Sequence, residues 1–143
     1  MLGWAGTTPD LADMACLTSR PACLTCCAPV QVNNAIYYQF MDDAVNMHLL
    51  AHGIGVSWPR FVASSSCRYL RPFAFPSDIS VGLRIARLGS SSASYEIGLF
   101  PLAADGEAGE LAAVGTFVHV YVDQTGQPKA FDDTVRGVLS SLT

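Results

Sequence analysis

The run from Ile36 to Leu50 is apolar around most of a helical circumference, and this restricts the fold more than any other feature of the chain. Its polar residues, Gln39, Asp42, Asp43, Asn46 and His48, mostly fall near one narrow stripe at helical spacing. A surface helix of a globular protein buries an apolar stripe of about 100°; this one asks for cover on most of its sides. Asn33 or Asn34 can cap its start by accepting a hydrogen bond from a free N–H of the first turn, and Gly53 and Gly55 can stop it. The pattern predicts a helix from about 34 to 52.

The cover is supplied downstream. Phe61 to Leu70 reads as a strand that Arg71-Pro72 ends, since proline cannot donate to a ladder. Ile79, Val81, Leu83 and Ile85 then alternate with smaller or polar residues, as do Tyr95, Ile97 and Leu99, and Val114 to Val122. Gly89-Ser90-Ser91-Ser92 and the polar loop Ala104-Asp105-Gly106-Glu107 separate these segments, and such short connections imply antiparallel neighbours. Asp132 to Leu142 can close the chain as a short helix carrying Val135, Val138, Leu139 and Leu142 on one side. The expectation is an α+β fold, a long central helix wrapped by a curved antiparallel sheet.

A chain of 143 residues has room for one domain. Residues 1–30 differ from the rest: four of the five cysteines, five prolines and glycines, three charges and no sustained period. They read as an irregular arm without a strand, before a domain over 31–143. With 50% hydrophobic and only 14% charged residues there is little charge to cover a monomer, so self-association is expected. A net charge of −4 and a single lysine, Lys129, disfavour nucleic-acid binding. No apolar run approaches the roughly 18 residues that span a bilayer, and the N-terminus lacks the basic head and apolar stretch of a secretory signal. This gives a soluble, cytoplasmic expectation with reduced cysteines and no membrane partner. The G-x-S-x-G elbow, the P-loop and the dinucleotide fingerprint are absent from the sequence, which removes the commonest hydrolase, NTPase and dehydrogenase readings.

Several separated motifs occur together in one order. They are Val32-Asn33-Asn34-Ala35-Ile36-Tyr37-Tyr38 followed by Phe40, Asp42 and Ala44-Val45-Asn46; Cys67-Arg68-Tyr69 with Arg71-Pro72 and Phe75-Pro76; Arg87-Leu88-Gly89-Ser90-Ser91; Tyr95 to Phe100; and Phe117 to Val122. Over about residues 30 to 140 this resembles the hotdog-fold acyl-CoA thioesterases related to 4-hydroxybenzoyl-CoA thioesterase. The resemblance implies a helix inside a curled antiparallel sheet, dimers paired edge to edge or tetramers of them, an acyl-CoA substrate and no cofactor. It places the thioester carbonyl at the start of the helix, with a backbone N–H of Asn34 or its neighbour as oxyanion donor and Asn33, Tyr37 and Tyr38 beside the substrate.

The family motif carries a carboxylate seven residues before that asparagine, with glycine-histidine between. Here the seventh residue back is Cys27, Val30 and Gln31 occupy the glycine-histidine positions, and no Asp or Glu lies between Asp13 and Asp42. Cys27 is thus the candidate replacement nucleophile, a thiolate near a helix N-terminus being activated toward thioesters; the plainer reading is an inert cysteine in an atypical arm. Cys23 and Cys26 form a lone C-x-x-C without the further ligands zinc needs, so no metal is expected. Asp42 and Asp43 point about 100° apart on a helix and cannot share a proton; Asp43 reads as solvated and Asp42 as an interface residue. Ser64 sits where some hotdog enzymes carry a second acidic group, and His119 reads as packed. Arg68, Arg71 and Arg87, with Ser90 and Ser91, are candidates for the phosphates of CoA. Two functions follow: an acyl-CoA thioester hydrolase, and a catalytically weakened acyl-CoA-binding form that lacks the usual acid. A CoA-thioester dehydratase is remoter, since no histidine and carboxylate converge near the helix start.

Overall fold

Asn33 opens the longest helix with its own side chain. Its Oδ1 accepts the N–H of Ala35 at 2.9 Å, and α1 runs over Asn34–Ala51. The far end closes on Gly53 at φ 75°, where Gly53 N–H reaches the Leu50 carbonyl and Ile54 N–H the Leu49 carbonyl. That pair of bonds is a Schellman cap, which needs a residue with no Cβ penalty at the left-handed position. Gly53 alone supplies the stop.

The structure, a computed structural model, describes residues 17–19, 32–55, 57–73 and 78–143, the side chains of 17–19 excepted. After α1 come strands β2 (Arg60–Tyr69), β3 (Asp78–Leu88), β4 (Ser92–Leu102) and β5 (Ala113–Tyr121), then helix α2 (Asp133–Ser140). A short strand β1, Leu17–Ser19, precedes α1, and the sheet order is β1-β3-β4-β5-β2 with every pairing antiparallel. The period-2 segments thus fold as strands. β1 corrects the expectation of an arm without a strand: three residues pair with β3 through backbone alone, which demands no alternation of side chains.

The inward residues of β3, β4 and β5 meet one side of α1. Met41, Ala44, Val45 and Leu49 are fully buried against Ile79, Leu83, Ile97 and Leu99. At Gly115 the β5 backbone comes so close to the helix that an added Cβ would overlap Met41 Sδ. The other flank of α1 is bare, Met47 being 51% and Leu50 57% exposed. This corrects the expectation of cover on most sides. One chain's sheet encloses one face of the helix, and the flank carrying Gln39, Asp43, Met47 and Leu50 is left without cover among the described residues.

The edge strand β2 pairs with β5 on one side only, and it is exposed along nearly its whole length, with Phe61, Val62 and Tyr69 standing in solvent. α2 folds back on β3, its cap Asp132 accepting from Val135 N–H at 2.8 Å, while Leu142 C=O accepts from Ile85 N–H at 2.8 Å. Among the described residues no helix is long and apolar enough to cross a membrane.

Candidate active site

The start of α1 leaves a donor open. Asn33 uses its side chain on Ala35 and its carbonyl on Ile36 N–H, at 2.9 Å each, while Asn34 N–H meets no acceptor among the described residues and Asn34 is exposed. No acidic side chain occupies the first turn to offset the positive end of the helix dipole. An unsatisfied N–H at that end can hold developing negative charge on oxygen.

Aromatic contacts fix this end in place. Tyr37 is buried, its hydroxyl accepts the N–H of Phe73 at 3.2 Å, and its ring meets Tyr69 edge-on with centroids 5.0 Å apart. Half-buried Tyr38 stacks on Phe117 at 6.0 Å. The closing end of β2 is therefore pinned to the start of α1, and its opening end lies over the second half of the helix, where Arg60 reaches Asn46.

Over that second half is an open cavity of about 430 Å³. Its polar wall holds Asp42, Asn46, Arg60 and His119, and Trp58 and Phe61 add aromatic surface. The polar groups form a chain: Asn46 Nδ2 donates to Asp42 Oδ2 at 2.8 Å, and Arg60 Nη2 donates to Asn46 Oδ1 at 2.5 Å. His119 is 2% exposed, and neither ring nitrogen has a hydrogen-bond partner among the described residues. Burial, and secondarily the Arg60 charge, push its pKa down to about 4, so the ring is neutral at pH 7. The Lys129 ammonium lies over the Trp58 ring, 3.8 Å from its centre.

The residues singled out in the sequence fall into separate groups. Asn33, Asn34, Tyr37 and Tyr38 gather at the start of α1. Arg68 and Arg71 lie at the same end, both exposed, and Arg71 pairs with Glu110. Arg87, Ser90 and Ser91 lie at the opposite end of the sheet, level with Arg60, because Ser92 pairs with Val120 and Arg60 with Tyr121. One chain does not bring the five phosphate candidates together. Ser64 is exposed on the β2 edge, next to a register shift between Val62 and Ser64. Asp43 is exposed, and Asp42 joins the cavity wall. His119 is packed, edge-on to Tyr95 at 5.1 Å. Cys27, Cys16, Cys23 and Cys26 lie outside the described residues; Cys67, half-buried, has its thiol pKa raised by burial. Among the described residues no three His, Cys, Asp or Glu side chains are grouped to hold a metal. Sequence reasoning missed Arg60 and Asn46. The only signal for Asn46 was a polar stripe on a greasy helix and Arg60 had none, since their contact spans fourteen residues.

The thioesterase-superfamily profile matches residues 31–102, half of the sequence. The chain belongs to the thioesterase superfamily. A solved Pseudomonas aeruginosa PAO1 protein is 38% identical, with 90% of each chain covered and a TM-score of 0.79. A gentisyl-coenzyme A thioesterase shares the fold at 18% identity, 86% of this chain and 98% of that one, with a TM-score of 0.71. So does a Thermus thermophilus thioesterase complexed with coenzyme A and zinc, at 23% identity, 91% and 95% coverage and a TM-score of 0.66. No protein of curated function matches the sequence. The antiparallel sheet and two helices of this thioesterase-superfamily member are an α+β arrangement consistent with the hotdog fold, and membership supports thioester hydrolysis as its broad activity.

Proposed function

We propose that the chain hydrolyses acyl-CoA thioesters to the free acid and CoA, with the carbonyl oxygen received by Asn34 N–H. The observation that carries this is the open N–H at an uncompensated helix start. Water adds to the carbonyl carbon, the oxyanion is held by that N–H and the dipole behind it, and collapse expels the sulfur as the CoA thiol. Solved relatives complexed with coenzyme A support a CoA-bearing substrate. Arg87 with Ser90 and Ser91, or Arg68 with Arg71, would take its phosphates.

The proposal includes a second copy. The exposed β2 edge offers backbone groups unpaired among the described residues, with Phe61, Val62, Tyr69 and Leu70 beside it, and α1 exposes Met47 and Leu50 on its open flank. Antiparallel pairing of two β2 edges near Ser64 would set the Arg60 end of each copy against the Tyr69 end of the other. The cavity of one copy would then face the helix start of its partner, and the helix would gain the rest of its wrapping. Dimers of this kind can pair again into tetramers.

Release of free thiol from aromatic and medium-chain acyl-CoAs tests the reading, beside a Cys27→Asp variant. Turnover by the wild type supports hydrolysis. A second reading, an acyl-CoA-binding form without turnover, is favoured by the cysteine at the position where the family carries an acid. Turnover only in Cys27→Asp would select it. If Cys27 is the nucleophile, Cys27→Ser loses turnover and the wild type accumulates an acyl adduct visible by mass spectrometry.

A further inference from the structure

The cavity over the second half of α1 contains a combination that packing does not require. His119 is 2% exposed and lines the cavity, and both its ring nitrogens are buried without a partner among the described residues. The nearest buried hydroxyl is already committed, since Tyr95, edge-on to His119, shares its hydroxyl with Tyr121 at 2.9 Å. Arg60, half-buried on the same wall, forms no ion pair among the described residues; its partners are the Asn46 amide oxygen at 2.5 Å and the Trp58 carbonyl at 3.5 Å. Asn46 stands between Arg60 and Asp42, donating to the carboxylate at 2.8 Å.

One cavity wall thus carries a neutral imidazole whose ring nitrogens are buried without a partner among the described residues and a guanidinium with N–H groups to spare, while the one carboxylate is engaged by an amide. The guanidinium N–H groups left over call for an acceptor, and an anionic one makes the stronger bond. Trp58 and Phe61 line the same cavity and add apolar surface to it.

We propose that the cavity of one copy receives the distal end of an acyl group whose carbonyl is held at the helix start of its partner, and selects chains that end in a carboxylate, held by the Arg60 guanidinium beside His119. This rests on the thioester reading above and names the class of substrate: an ω-carboxyacyl-CoA. The field at His119 agrees, because the Arg60 charge acts on the ring more strongly than the opposing charge of Asp42. A hydroxyl terminus would satisfy His119 but would leave the guanidinium without a counter-charge.

Glutaryl-CoA, valeryl-CoA and the hydroxyl-terminated analogue of equal length form the test set, with the wild type, Arg60→Gln and His119→Gln. The expected result is a kcat/KM for glutaryl-CoA roughly ten- to a hundred-fold above the other two, the scale of hydrogen bonds to a charged group, with the ratio collapsing in both variants. Should one variant fail to fold, the other and the wild-type ratio still decide. Equal rates, or preference for the hydroxyl-terminated thioester, overturn the carboxylate site and leave thioester hydrolysis standing. Calorimetry with free glutarate and the uncharged 1,5-pentanediol needs no turnover. Glutarate binding that Arg60→Gln weakens, in a protein that cleaves no thioester, upholds the anion site and removes the hydrolase reading; glutarate binding no tighter than 1,5-pentanediol overturns the anion site.

Discussion

The Tyr37 ring meets the Tyr69 ring edge-on, centroids 5.0 Å apart, and so ties the first turn of α1 to the last residue of β2. Tyr37 also accepts the Phe73 N–H at 3.2 Å. Tyr37→Phe strands that donor in a buried setting and should cost about 1–3 kcal/mol. Tyr37→Ala also opens a cavity and should cost about 3–5 kcal/mol. Chemical denaturation of the two variants gives both values.

Gly115→Ala should destabilise by about 1–3 kcal/mol, because its methyl would enter space held by Met41 Sδ and lie 3.3 Å from the Ser66 carbonyl oxygen. Pairing Gly115→Ala with Met41→Ala should restore part of the loss that either causes alone. A thermal-unfolding cycle over the four proteins measures that coupling.

Most of the fold is legible in the sequence for a simple reason. Alternation in Ile79–Ile85 and Val114–Val122 reports a sheet with one face packed on α1, and Asn33 and Gly53 announce helix ends through local backbone chemistry. The one-sided cover of α1 is not legible, since an apolar flank looks the same whether its cover comes from the same chain or another. β1 is hidden because three residues are too few to show a period. At the site, Asn33 and Asn34 stand out by type and position. Arg60 does not: a lone arginine before a strand means nothing until the turn after Gly53 carries it back over Asn46.

Stability should fall as the pH drops from about 6.5 to about 4. His119 is held neutral in the fold with a pKa lowered to about 4, whereas an unfolded histidine takes up its proton near 6.5. The unfolded chain therefore binds more protons in that window and gains on acidification, by on the order of 3 kcal/mol once both limits are passed. His48, also lowered by burial and by His52, adds loss of the same sign. Denaturation midpoints between pH 4 and 7 should show a shallower slope for His119→Gln, with a residual slope from His48.

Val62→Lys should weaken self-association without unfolding the chain. Val62 is 44% exposed on the free edge, and a charge there opposes edge-to-edge pairing. Sedimentation of the wild type should show a dimer or larger, and the variant should shift toward monomer at equal concentration.

Asn34→Pro tests the central claim most directly. Position 34 is the first residue of α1, where proline fits a helix, and Asn33 before it already has the extended φ −59°, ψ 139° that a following proline requires. The substitution deletes one N–H and leaves the helix in place. The account predicts an unchanged helical circular-dichroism signal and a kcat for acyl-CoA hydrolysis lowered about 10²- to 10³-fold, the loss expected for one oxyanion donor. A folded Asn34→Pro protein that cleaves the thioester at the wild-type rate would contradict it.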